Sequence, residues 1–318
     1  MPPAALAASP RHLPPPLAAL LAVALALAAA GCGEQRTPLR GAATEPVQAV
    51  ALLSGHLRAN DLQAFARDAV PPSLHPSLAA AWRSGRTRWP LEELPFDHRI
   101  PGVLATLSAE GAEARLRRTF DRQFANAHTE LRAAARALGL FGAKYVQNDQ
   151  SLSAEERAHY VQLVEAMADW GDTARLGDPK RARAAIAKLS LAARQSGLRD
   201  EADFRRLGMD ESLRELGPMA AALKAALAGY GLDLDASLDA MSLSLESRDG
   251  DHARVRMRYP LAGRTIDTVV AVERVDGHWY LSDFLRHARA AAAPPPAPVP
   301  LPPVAPPETA ATTKPTSS

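Results

Sequence analysis

The chain has 318 residues, 47% hydrophobic and only 5% aromatic, so it can build one large or two ordinary domains in which each aromatic side chain counts as a core anchor. Lys and Arg number 37 against 35 Asp and Glu, a near-balance that argues against non-specific nucleic-acid binding, which needs a strong basic excess. The single cysteine, Cys32, excludes an intramolecular disulfide and any Cys-x-x-Cys metal or redox site, which leaves packing to stabilise the fold.

In chain order, residues 1–16 carry Arg11, His12 and several prolines, and residues 17–30, "LAALLAVALALAAA", are uncharged and apolar. As a helix this run spans about 21 Å, too short for a hydrocarbon core of ~30 Å. A basic start, a short apolar run and small residues after it read as a cleaved secretory leader over 1–31; the competing reading is a buried core helix. Cys32 follows directly, as a free thiol, a core residue or a processed one. "AAGC", Ala29 to Cys32, resembles the lipobox of bacterial lipoproteins, with Ala29 where that family usually has Leu. The resemblance implies diacylation of the Cys32 sulfur, cleavage before it, acylation of the new amino group and membrane attachment through the lipid. Gly33, where Asp would favour inner-membrane retention in that family, implies the outer membrane. Residues 32–43 then read as the lipid-anchored tether.

Residues 44–237 read as a helical region. Thr44 is the expected cap and Pro46 suits the first turn of a helix with Val47, Val50, Leu53 and Leu57 inward. Asn60 and Asp61 restart a second helix with Leu62, Phe65 and Ala66 inward, ended by "VPPSLHP". Residues 85–102 read mainly as a loop pinned by Trp89, Phe96 and Ile100; it holds Glu92, Glu93, Asp97 and His98, where function or mere solvation are both open. A long helix is expected from about Ala109 to Leu138, capped by Ser108, with one apolar stripe from Leu116 through Phe124 and Leu131 to Leu138. Its arginines (Arg115, Arg117, Arg118, Arg122, Arg132) read as a solvated face, or as a phosphate-contacting strip. Ser153 and Glu156 form a capping box for a helix burying Tyr160, Val161, Val164, Met167, Ala168 and Trp170. Asp178-Pro179 starts another that stops by Gly197. Asp210 caps a short helix to Leu216, Gly217-Pro218 breaks it, and a further helix carries Met219, Leu223 and Leu227.

After residue 238 the apolar period changes from 3.6 to 2. "MSLSLES", "HARVRMRY", "TIDTVVAVE" and "HWYLSDF" read as four strands joined by turns at Asp249-Gly250, "LAGR" and "VDG". Residues 238–289 are thus an antiparallel meander with a terminal helical turn, packed on the helical region. From 290 to 318 the chain is Pro-rich and nearly uncharged, a tail expected to be extended or disordered, as a passive spacer or a docking segment. The fold class is α+β: a mostly helical body followed by a four-stranded antiparallel meander.

"AVALLSGHLRANDLQAFA" near the start and "VRMRYPLAGRTIDTVVAVERVDGHWYLSDF" at the end resemble the two ends of the cystatin-like, nuclear-transport-factor-type cone fold, whose last strand often carries the Asp-Gly-x-Trp seen at Asp276, Gly277 and Trp279. The resemblance covers about 80 residues, leaves the intervening helices as an insertion, and does not fix function. It implies a cavity where Asp267 or His278 could act as a general base; alternatively both are solvated or pair across strands with Arg254, Arg256 and Arg258. The chain has no H-E-x-x-H, P-loop, G-x-S-x-G or metal-ligand cluster, so no cofactor, metal or catalysis is expected. The expectation is a periplasm-facing, membrane-anchored lipoprotein with a structural or interaction role among envelope proteins. The alternative is a cone-fold small-molecule-binding or hydrolytic domain with a polar cavity at the sheet.

Overall fold

Twelve α-helices precede and flank one four-stranded sheet in the structure, a computed structural model that describes residues 43–93 and 99–294. Cys32, the leader, the tether up to residue 42, Phe96, Asp97, His98 and the tail beyond residue 294 lie outside the described residues. The helices are α1 (Pro46–Ala59), α2 (Leu62–Asp68), α3 (His75–Arg83), α4 (Ile100–Ser108), α5 (Ala112–Gln123), α6 (His128–Asn148), α7 (Ala154–Thr173), α8 (Pro179–Gln195), α9 (Glu201–Leu207), α10 (Met209–Gly229), α11 (Leu234–Asp239) and, at the end, α12 (Ser282–Ala292). Between α11 and α12 run β1 (Ser242–Asp249), β2 (His252–Leu261), β3 (Arg264–Val275) and β4 (His278–Leu281).

Local chemistry accounts for most boundaries. Asp61, Asp178, Asp200 and Asp233 each accept a backbone N–H of the first turn they precede, and Ser153 with Glu156 forms the reciprocal box that starts α7. At α1 the cap is Glu45 rather than Thr44: Gln48 Oε1 reaches back and accepts from the N–H groups of Thr44 (3.1 Å) and Glu45 (3.3 Å). The sheet is an antiparallel meander in the order β1-β2-β3-β4. Two of its turns, Ala262-Gly263 and Asp276-Gly277, have both residues at positive φ, the conformation that matches the twist of two-residue hairpins. The first turn is centred on Gly250-Asp251, one residue later than the sequence suggests.

Tertiary packing overrides the sequence pattern in several places. The single helix expected over Ala109 to Leu138 is two, α5 and α6, separated at Asn126 (φ 62°), whose N–H donates to the Gly177 carbonyl at 2.8 Å. Ser108 ends α4 instead of capping α5, and the expected stripe divides: Leu116 packs half-buried against the main core, but Leu138 is 71% exposed. Conversely, Gly217-Pro218 does not break α10, which runs through both residues. Proline removes one N–H, but Leu213, Leu216 and Ala226 on either side are buried, and Gly217 lies so close to the Asn60 carbonyl that a Cβ there would sit 2.8 Å from its oxygen. Leu57, expected inward, is 40% exposed. The short helices α3, α9 and α11 and most of α4 have no counterpart in the sequence reading, being too brief to show a period.

The main core gathers Phe65, Leu78, Trp82, Trp89, Phe204 and Leu213 from the helical body and joins them to Tyr280 and Leu285 from the carboxy-terminal end. A second cluster packs Ala49 and Val50 of α1 on the inner sheet face, against Val255, Met257, Val272 and Trp279. The sheet and the first helices therefore share one body, and the outer sheet face carries Arg254, Arg256 and Arg258.

Candidate functional site

Asp267 lies on β3 directly opposite Arg258 of β2. Its Oδ1 accepts from Arg256 Nη1 and its Oδ2 from Arg258 Nε, both at 2.8 Å. Desolvation alone would raise its pKa, but the hydrogen bonds and charges of the two arginines outweigh it and hold the carboxyl below its ordinary value. An ionised carboxylate shared by two guanidinium groups is a poor proton acceptor. His278 opens β4 opposite Val275, about 26 Å along β3 from Asp267, so the structure does not bring the two into one cavity. The cross-strand alternative holds for Asp267. His278 Nδ1 is buried without a hydrogen-bond partner, as is the indole nitrogen of Trp279 next to it.

The tightest convergence of titratable groups lies elsewhere. The segment from Trp89 to Glu93, the start of α7 and the middle of α12 meet around His287. Its Nδ1 lies 2.9 Å from Glu93 Oε2, and its Nε2 lies 3.6 Å from Glu156 Oε1. Glu93 also accepts from Trp89 Nε1 at 3.0 Å. Glu156 Oε2 accepts from Arg286 Nη2 and from the Ser153 N–H, each at 2.7 Å, while Ser153 Oγ donates to Asp283 at 3.0 Å. The hydrogen bond to Glu93, opposed by burial and reinforced by the charges of Glu93 and Glu156, raises the His287 pKa. Burial, with Glu93, Glu156 and Asp283 nearby, pushes the Tyr160 hydroxyl up as well, so it stays protonated. Two carboxylates beside one imidazole favour its charged form and tie three chain segments together, whereas a general base requires the neutral ring. In the sequence Glu93 reads as a loop residue and Glu156 as half of a capping box, and nothing marks His287, because residues nearly 200 positions apart meet here only through the fold.

A third feature is apolar. α6 and α7 form an antiparallel hairpin held by small residues. A Cβ on Gly139 would collide with Ala168, one on Gly171 would lie 2.7 Å from Ala135 Cβ, and one on Gly142 would lie 3.1 Å from Val164. The backbones therefore approach closely, yet no residue of α6 is fully buried. Leu138, Leu140, Phe141 and Tyr145 are 71–76% exposed. Phe141 and Tyr145, with Lys144, Asn148, Asp149 and Gln150, line an open concavity at the hairpin tip. Large apolar side chains grouped in the open are the kind of surface that marks an interaction site.

Comparison with protein-family models, with curated proteins and with solved structures gives no match. Among the described residues no group of three His, Cys, Asp or Glu is arranged to hold a metal ion, and no helix is long and apolar enough to cross a membrane.

Proposed function

We propose that this protein is a lipoprotein anchored through Cys32 to the periplasmic face of a membrane, the outer one where the cell has two, and that its body serves a non-catalytic interaction role. The attachment rests on the apolar run of residues 17–30, whose end overlaps the Ala29 to Cys32 motif, and on the lack of any other cysteine. One acyl chain adds ~0.8 kcal/mol per buried methylene and binds reversibly, so the three chains implied by the lipobox would hold permanently. The interaction role rests on the exposed apolar face of α6. A hydrolytic or ligand-binding role at the sheet would need Asp267 free, and both its oxygens are engaged by arginines.

Replacing Cys32 by Ala should abolish incorporation of radiolabelled palmitate and move the protein from the membrane pellet to the soluble fraction. Unchanged fractionation of C32A would exclude the lipid anchor.

A further inference from the structure

The exposed face of α6 has an order that selects its occupant. With ~100° between successive residues, Glu130, Ala137 and Lys144 fall in one column, seven residues apart, pointing away from Ala135, Gly139 and Gly142, which meet α7. Beside that column, Ala133 and Ala134 occupy the amino-terminal half and Leu140 and Phe141 the carboxy-terminal half. All seven are exposed, and among the described residues neither Glu130 nor Lys144 has an ion-pair partner. The face is therefore acidic and flat at one end, basic and bulky at the other.

We propose that this face is a self-association surface on which two copies pack α6 against α6, antiparallel, about a two-fold axis at Ala137. Rotation about that axis sets Glu130 of each copy beside Lys144 of the other. It sets Phe141 over Ala134 and Leu140 over Ala133, so each large side chain meets a small one, and Ala137 meets its own copy where the helices come closest. A closed two-fold pair uses the same patch twice, which is what a self-complementary surface provides. A parallel arrangement would oppose like charges and stack Phe141 on Phe141. The close packing of α6 on α7 through alanine and glycine shows the same helix accepting a near neighbour on its other side. One helix pair buries less than the ~800 Å² per partner of a standard stable interface, so the pairing is weak in dilute solution. Two copies held on one membrane meet at a high effective concentration. The inference rests on α6 being the interaction surface and adds the identity and orientation of the partner.

The test introduces single cysteines, A137C, E130C or N148C, into the full chain expressed in cells; isolated membranes are oxidised and read on non-reducing gels, with the parent chain as control. In the antiparallel pair the equivalent positions lie together at 137 but about 21 Å apart at 130 and 33 Å apart at 148, beyond disulfide reach. A product of twice the chain mass should form with A137C at least about 10-fold above E130C and N148C, and co-expressed E130C and K144C should cross-link to each other. Equal products at all three single positions would overturn the orientation and with it the proposal. An A137C adduct to a different polypeptide would leave α6 an interaction surface but overturn the second copy as its occupant. An A137C thiol that forms no adduct and reacts freely with maleimide would overturn both. Protection of that thiol by lipid without any adduct would assign the face to the membrane and overturn the pairing.

Discussion

At the scale of single residues, two histidines respond to their surroundings in opposite directions. His159, hydrogen-bonded to the Tyr259 hydroxyl at 2.8 Å, is pushed down to about 4 by burial, so it folds neutral. The unfolded chain binds its proton first, and the stability present at neutral pH is therefore lost as pH falls from about 6.5 to 4, by roughly 2–3 kcal/mol for a shift of this size. His287 is raised, so its contribution is complete below the unfolded value near 6.5 and is lost as pH rises through the folded value. Urea unfolding at a series of pH values should give a dome, with H159Q flattening the acid limb and H287Q the alkaline one. Limbs unchanged by these substitutions would show that neither ring titrates as its neighbours dictate. Only His287 is embedded in a cluster, with Glu93, Glu156, Asp283 and Arg286 on three segments, so its substitution should also loosen the Trp89 segment.

At the scale of elements, the helix hairpin and the sheet edge carry the argument. β4 pairs only with Val272 to Val275, which leaves the first part of β3 without a strand on that side. α7 supplies the missing partner with one side chain: Gln162 Nε2 donates to the Asp267 carbonyl and Gln162 Oε1 accepts from its N–H, both at 3.0 Å. A covered edge cannot template pairing with another chain. α7 can do this because α6 lies close on its other side, through Gly139, Gly142 and Gly171. Leucine at Gly139 has no room against Ala168 and should lower stability by about 1–3 kcal/mol, the usual range for forced overpacking, read as a drop in the thermal midpoint. A midpoint unchanged in G139L would mean that the hairpin is looser than its geometry. Because Gly139 faces α7 and Ala137 faces outward, the outcome is separable from the self-pairing of α6.

At the scale of the whole molecule, one core joins the start and the end of the chain. Trp82 of α3 is fully buried, donates its indole N–H to the Phe204 carbonyl at 3.0 Å and lies under the Arg88 guanidinium, 5.0 Å from the ring centroid. Arg88 ties the same place to α9 through Glu201 and to the carbonyl of Trp82 at 2.8 Å. Tyr280 and Leu285 close that core from the carboxy-terminal side. With so few aromatic residues, removing one such anchor should be severe: W82A is expected to cost ~3–5 kcal/mol in denaturant unfolding, and a loss below ~1 kcal/mol would place the stabilising core elsewhere.

What the amino-acid sequence determined alone is local. The capping box of Ser153 and Glu156, Asp178-Pro179, the alternation of Val255, Met257 and Tyr259, and the turn residues of the meander act through neighbours a few positions away, so they were legible. The tertiary structure decided whatever depends on distant partners. It split the apolar stripe after Phe124 because α5 and α6 face different helices, and it carried α10 through Pro218 because packing outweighs one missing hydrogen bond. It placed Asp267 between two arginines rather than in a cavity, assembled the His287 cluster from three segments, and left Leu138 and Phe141 in the open. Apolar periodicity says that a helix has a face; only the neighbours the fold brings to it decide whether that face is covered.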